Sequence, residues 1–133
     1  MSSISDAGGA YAQNHHKLRD WAAAVERGEL PVERGLALSP DDLLRRYAIN
    51  QVMCQLRLDL REVEARHGAG ARAALAASLA GAKDELEADG LITFDGEVLR
   101  VTPLGQLLVR NVAMLFDAYL KKPAAKPQFS RTV

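Results

Sequence analysis

The chemistry this chain could perform is narrowed first by its single cysteine, Cys54. One cysteine excludes an internal disulfide and a cysteine-ligated metal cluster built from this chain alone, and it suits a reducing compartment. Of the three histidines, His15 and His16 are adjacent and cannot share a helical face, and His67 stands apart. No metal-binding spacing results. Cys54 lies among Val52, Met53 and Leu56, which predicts a buried apolar residue. The pair Asp41-Asp42 reads as the start of a helix rather than as an acid–base pair. No nucleophile stands near a candidate base, and Gly8-Gly9 is too short for a phosphate loop. Arg34, Arg45, Arg46, Arg110 and Arg131 are the residues suited to gripping a carboxylate bidentately. The ordinary role of any one of them is a solvated surface charge.

The whole chain sets the background. It has 133 residues, 48% hydrophobic, enough for one ordinary core. Lys plus Arg equals Asp plus Glu, 17 against 17, so there is no overall electrostatic footprint for nucleic acid. No apolar run approaches the ~20 residues of a membrane span. The start, MSSISDAGGA, lacks the basic and apolar regions of a signal peptide. These features predict a soluble, cytoplasmic, mostly helical protein.

The elements that would position any site are organised around Asp84 to Asn111. Gly90 is a natural helix stop. Leu91 to Phe94 and Val98 to Val101 read as two strands joined at Asp95-Gly96, with positive φ expected at both turn residues. Thr102-Pro103 reads as an N-cap followed by the first helical residue. Helix, hairpin and capped helix predict the second half of a winged helix. The expected fold is mainly α with a small β-hairpin, a winged-helix-like domain preceded by an extra N-terminal helix.

In chain order, Met1 to Ala10 is expected to be disordered or the torn end of something larger. YAQN leads into a helix of about His15 to Arg27, with an apolar stripe of Leu18, Trp21, Ala22 and Val25. That stripe needs a partner surface, and left uncovered it could drive self-association. Pro31 to Leu38 is a connector. Ser39, Pro40 and Asp42 start a helix reaching about Gln55. Leu56 to Leu58 is a candidate third strand of the hairpin sheet, and Asp59 caps a short helix to His67. A helix from Ala71 to Ala88 follows, and a last long one from Pro103 to about Leu120. The last helix carries the stripe Leu104, Leu107, Leu108, Val112, Leu115, Phe116 and Tyr119. The segments expected are 1–38 as arm and helix, 39–120 as the winged-helix-like domain, and 121–133 as an extended basic tail.

A winged helix commonly reads DNA with the helix before its wing. Here that helix carries Arg72 and Lys83 against Asp84, Glu85, Glu87 and Asp89, and the wing tip is Asp95-Gly96-Glu97. Phosphates would meet acids where bases are needed. A role as DNA-binding regulator is therefore disfavoured against one of packing on protein, as a free-standing interaction module would do.

The runs SSIS and YAQN, the segment SPDDLLRRYAINQVMCQLRLDL, the wing DGLITFDGEVLRVTPLGQLLVRNVAMLFDAYL and the ending FSRTV, taken in this order, resemble the C-terminal portion of bacterial oxygen-independent coproporphyrinogen III oxidase. The resemblance spans about Ser2 to Val133. It implies a much longer parent whose radical-SAM barrel holds an iron-sulfur cluster through a CxxxCxxC motif. With S-adenosylmethionine, that barrel oxidatively decarboxylates two substrate propionates of coproporphyrinogen III, giving protoporphyrinogen IX in anaerobic haem synthesis. This chain lacks that motif, so it should bind neither cofactor alone and should be inactive alone. It would be a lid whose partner is the barrel, in cis or in trans, with substrate met only in the intact enzyme and neither nucleic acid nor membrane bound. By position in the matching runs, Ile4 would contact S-adenosylmethionine, and Gln13, Asn14 and Arg131 would contribute to the substrate cavity wall.

Overall fold

A run of small residues broken by Gly8-Gly9 proves enough to start a sheet. In the computed structural model, which describes residues 3–120, the chain divides into two compact units, Met1–Leu43 and Leu44–Val133. The expected basic tail, 121–133, and with it Arg131, lies outside the described residues.

The first unit holds strands β1 (Ile4–Asp6), β2 (Ala10–Asn14) and β3 (Val32–Ala37), with helix α1 (Leu18–Glu26) between the last two. They form an antiparallel sheet in the order β1-β2-β3. This corrects two expectations. The stretch before Ala10 contains an edge strand rather than being disordered throughout, and Pro31 to Leu38 is mostly strand rather than connector. YAQN, which leads into α1 as expected, lies in the central strand. Gly8 and Gly9 take φ of 59° and 102° and close the β1–β2 hairpin, where the Ala7 N–H donates to the Ala10 carbonyl at 2.9 Å. Consecutive positive φ is what a tight hairpin turn requires. The stripe of α1 is exposed on Leu18, Trp21 and Val25, and only Ala24 of that helix is buried.

Helix α2 (Pro40–Asn50) opens on a reciprocal cap. The Asp42 N–H donates to Ser39 Oγ at 3.1 Å, and the Ser39 N–H donates to Asp42 Oδ2 at 2.9 Å. A π-helical turn, Gln51–Gln55, carries the chain out of α2. It ends at Leu56, the one described non-glycine residue with positive φ, at 57°. Cys54 is exposed on this turn rather than buried. It stands two residues on from the buried Val52, which places it on the opposite side of the turn.

The second sheet is ordered β4-β6-β5, all antiparallel, from β4 (Arg57–Asp59), β5 (Ile92–Phe94) and β6 (Val98–Val101). The predicted strand near Leu56 thus joins the hairpin one residue late. At the hairpin turn only Gly96 has positive φ, at 93°. Asp95 precedes it, and its carboxylate accepts from the Glu97 N–H at 3.0 Å and the Val98 N–H at 2.8 Å. The two backbone donors hold that carboxyl below its ordinary range, led by the one from Val98.

Asp59 ends β4 and caps α3 (Leu60–His67). It is only 4% exposed. It accepts from the Arg61 N–H at 2.9 Å and pairs with the guanidinium groups of Arg57 and Arg61, each at 2.8 Å. The hydrogen bond from Arg61 leads in lowering its carboxyl from 3.8 to about 2.

The predicted alanine-rich helix is two helices, α4 (Ala71–Leu79) and α5 (Lys83–Ala88), parted at Ala80–Ala82. Gly81 is a weak helix former at the break. The predicted last helix is also broken, into α6 (Pro103–Gln106), α7 (Val109–Ala113) and a 3-10 turn, Met114–Phe116. Of its predicted stripe, Val112 and Phe116 are fully buried and Leu115 partly so, while Leu104, Leu107 and Leu108 are exposed. The core they join includes Val52, Leu58, Val63, Leu75 and Leu99, at most 1% exposed for each.

The junction of sheet and α6 is tight. Thr102 Oγ1 accepts from the Gly105 N–H at 2.9 Å and donates to the Gly90 carbonyl at 2.6 Å. A Cβ on Gly105 would overlap the Leu91 carbonyl. Because that neighbour is backbone, Gly105→Ala should destabilise the protein by about 3 kcal/mol, read as a lower midpoint in urea with unchanged slope. Asp59 should set the acid limb. Its folded value lies below its unfolded one, so its contribution is complete well above pH 3.8 and is lost as pH falls through about 2. Asp59→Ala should cost about 2 kcal/mol at neutral pH through loss of the cap and its charge pairs. Acid unfolding of the variant should also show a shallower dependence on pH between 5 and 2, whereas an unchanged limb would exclude this role.

Candidate functional site

Strand pairing in the first unit sets Ile4, Gln13 and Arg34 in a line. Ile4 pairs with Gln13 across β1–β2, and Gln13 pairs with Arg34 across β2–β3. Side chains of directly paired residues share a face. Tyr11 and Leu36, a second pair, lie two residues along on the same face. Together they line a surface cleft of about 340 Å³. Its lining is mostly apolar, and its polar element is the side-chain pair Gln13–Arg34.

That pair has a defined geometry. Arg34 Nε donates to Gln13 Oε1 at 2.7 Å. The bond uses the inner edge of the guanidinium and leaves both Nη groups without a partner among the described residues. Ile4 at the other end of the line is 66% exposed and Leu36 is 51% exposed. The cleft therefore presents aliphatic surface beside an oriented cation.

A bulge shapes the end of the sheet. Asn14 pairs with Val32 rather than Glu33, so Glu33 is the extra residue in β3. Its carboxylate meets His16 Nδ1 at 2.8 Å. The hydrogen bond from His16 is the main cause that lowers the Glu33 carboxyl below its ordinary range. The pair links the segment before α1 to the bulged residue of β3.

Of the sequence-selected residues, the fold therefore brings Ile4 and Gln13 together. Alternation along β2 turns Asn14 to the opposite face. Arg34 was one of five candidate arginines, and only the sheet register joins it to Gln13. Tyr11, Leu36 and the pair His16–Glu33 had no sequence signal beyond the strand pattern itself. Among the other arginines, Arg45 is engaged inside the second unit, where Nη1 donates to Ser78 Oγ at 3.2 Å and to the Phe116 carbonyl at 3.3 Å. His67 stacks near Tyr47, with ring centroids 5.1 Å apart. Arg72, on the helix that a DNA reader would use, pairs with Glu97 of the wing at 2.6 Å. Among the described residues no group of three His, Cys, Asp or Glu is placed to hold a metal ion.

Comparison with known proteins bears on this arrangement. The family model of the HemN C-terminal domain matches residues 38–108. An oxygen-independent coproporphyrinogen III oxidase of Synechocystis sp. is 40% identical over 136 residues, covering 100% of this chain and 29% of the relative. The oxidase of the same description in Escherichia coli K12 is 38% identical over 136 residues, with coverage of 100% and 29%. A solved structure, described as coproporphyrinogen III oxidase (HemN) from Escherichia coli, a radical SAM enzyme, matches with a TM-score of 0.81 at 35% identity. It covers 90% of this chain and 27% of that chain. The chain spans less than a third of the length of these relatives.

The face of the first sheet depends on close strand approach at Gly35, where an added Cβ would lie 3.3 Å from the Tyr11 carbonyl. Gly35→Val should push β3 from β2 and cost about 1 kcal/mol. Hydrogen exchange should quicken at the β2 and β3 amides and stay unchanged in the second sheet.

Proposed function

We propose, from the premise that this chain belongs to the HemN C-terminal domain family, that it serves as the non-catalytic, substrate-side lid of an oxygen-independent coproporphyrinogen III oxidase. The observation that carries this reading is the match of the relatives along the whole chain, from the first sheet through the second. The relatives named above continue well beyond the matched part. The partner is then a radical-SAM barrel, in the same polypeptide or another. Substrate coproporphyrinogen III meets this domain only in the assembled enzyme, in the cytoplasm.

The donor set of this chain does not fit an iron-sulfur cluster. It has one cysteine, where such a cluster is held by several thiolates. On this reading, cluster and radical chemistry belong to the barrel. For S-adenosylmethionine the fit is partial: the exposed Ile4 side chain offers an apolar contact at the mouth of the cleft. In the assembled enzyme that cofactor supplies the radical. The task of this chain is to cover the site, exclude water and orient the substrate. Gln13 faces the same cleft and suits a cavity wall. Asn14 would contribute from the far side of the sheet, and Arg131 from the tail.

Uncovered apolar surface supports a docking role. Leu18, Trp21 and Val25 are exposed on α1 of the first unit, and Leu104, Leu107 and Leu108 are exposed on the second. Without the barrel such surface would favour self-association. The order of helix, hairpin and capped helix with β4 added to the sheet supports a winged-helix-like scaffold over 39–120, preceded by the arm and helix of 1–38 and followed by the tail. The pairing of Arg72 with Glu97 favours a scaffold over a DNA reader, because the cation that phosphate would need is already neutralised.

The test is reconstitution with the barrel portion of the Synechocystis oxidase, produced separately. This chain should co-elute with it and permit turnover of coproporphyrinogen III under anaerobic conditions. Neither piece should do so alone. Absence of both co-elution and turnover, where the relative's own C-terminal portion restores both, would sink the reading.

A further inference from the structure

We infer that Arg34 is a carboxylate-binding residue of the cleft, held in position by Gln13, and that its ligand is a propionate side chain of the tetrapyrrole substrate. The inference rests on the lid reading for the identity of the tetrapyrrole. The site itself rests on the geometry of the first sheet.

A surface arginine is ordinarily a mobile, solvated charge. Arg34 is different in three respects. Its Nε is fixed by Gln13 Oε1 at 2.7 Å, which sets the plane of the guanidinium. Its Nη edge has no partner among the described residues and forms no ion pair with any described acid. It stands at the rim of an apolar cleft of about 340 Å³ with Leu36 and Tyr11 beside it. A planar fork held at one nitrogen presents its outer edge for two parallel N–H···O bonds, the geometry that carboxylates match. The ligand that satisfies both halves of this surface is an apolar body bearing a carboxylate. Phosphate would satisfy the cation but not the aliphatic lining.

Register adds a distance. Ile4, Gln13 and Arg34 stand on three neighbouring strands, so Arg34 is two strand spacings from Ile4, about 10 Å. A propionate gripped at Arg34 therefore places the apolar body of its carrier along the cleft toward Ile4. The hydrogen bond to Gln13 makes that residue a positioning group rather than a ligand. Its loss should weaken binding through the freedom it returns to Arg34.

Titration of the complex reassembled from this chain and the barrel portion with coproporphyrin III, followed by porphyrin absorbance and fluorescence, tests the inference. Affinity for the free acid should exceed that for its tetramethyl ester by about tenfold or more. Arg34→Gln should remove that difference. Arg34→Lys should restore only part of it, since a point charge replaces the fork. Gln13→Ala should weaken binding less than Arg34→Gln does. Both positions are exposed or half-buried, and circular dichroism should confirm that each of the three variants folds. Equal affinity for acid and ester, equal binding by Arg34→Gln and the parent, or no binding by the parent overturns the inference. Co-elution with the barrel, measured on the same Arg34→Gln sample, separates the two claims. Retained co-elution with unchanged porphyrin affinity removes Arg34 and leaves the lid. Lost co-elution by the parent chain removes the lid itself.

Discussion

One hydroxyl group joins the elements of the larger unit. Thr102 Oγ1 accepts the Gly105 N–H and donates to the Gly90 carbonyl, while the Thr102 N–H reaches the Leu91 carbonyl at 3.0 Å. It thereby ties the end of α5, the entry to β5, the exit of β6 and the start of α6 at a single point. The cap works only because residue 105 has no side chain. Any Cβ there would meet the Leu91 backbone, which cannot rotate away. The run Val101-Thr102-Pro103-Leu104-Gly105 is thus explained by one close approach: a capping hydroxyl, a ring that presets the first helical φ, and a glycine that lets the helix touch the strand.

This constraint also accounts for the broken last helix. A continuous helix from Pro103 would turn its apolar stripe steadily around one axis. The α6 turn is fixed by its contact with Leu91, and the core requires Val112 and Phe116 on the inside. A break at Leu107–Leu108 meets both demands and leaves Leu104, Leu107 and Leu108 outside. The π turn after α2 has a similar logic. It holds Val52 in the core and delivers Leu56 in a left-handed conformation so that its carbonyl can accept the Val101 N–H at 2.8 Å. A non-glycine residue there costs of order 1 kcal/mol, offset by the added strand.

The smaller unit is built on different terms. None of its strand residues is fully buried, and among the described residues Ala24 is its one buried hydrophobic side chain. Its order comes from backbone pairing, from a tight hairpin at Gly8-Gly9 and from the His16–Glu33 bond at the bulge. Such a sheet offers a flat array of side chains at fixed spacing, which suits recognition better than stability. Here an oriented arginine stands at one end of a line and an exposed isoleucine at the other. Surface arrays of this kind gain their meaning from what covers them, which fits a segment that relatives retain within a chain more than three times as long.

Local signals in the sequence determined the caps at Ser39, Asp59 and Thr102, the hairpin region around Gly96 and the third strand near Leu58. Each depends on residues within a few positions of one another, so side-chain chemistry decides it directly. The ordered set of runs also pointed to the family. The position of the turn at Gly96-Glu97, the two broken helices and the exposed Cys54 were decided by tertiary packing, because helical periodicity does not reveal which turn a core will interrupt. The first sheet went unrecognised because its strands are short, mix small and polar residues, and have exposed edges around a half-buried centre, and so lack the apolar alternation that marks a strand. The candidate site lay furthest from the sequence. Gln13 and Arg34 are separated by 21 positions, and only the antiparallel register, shifted at the Glu33 bulge, sets one against the other.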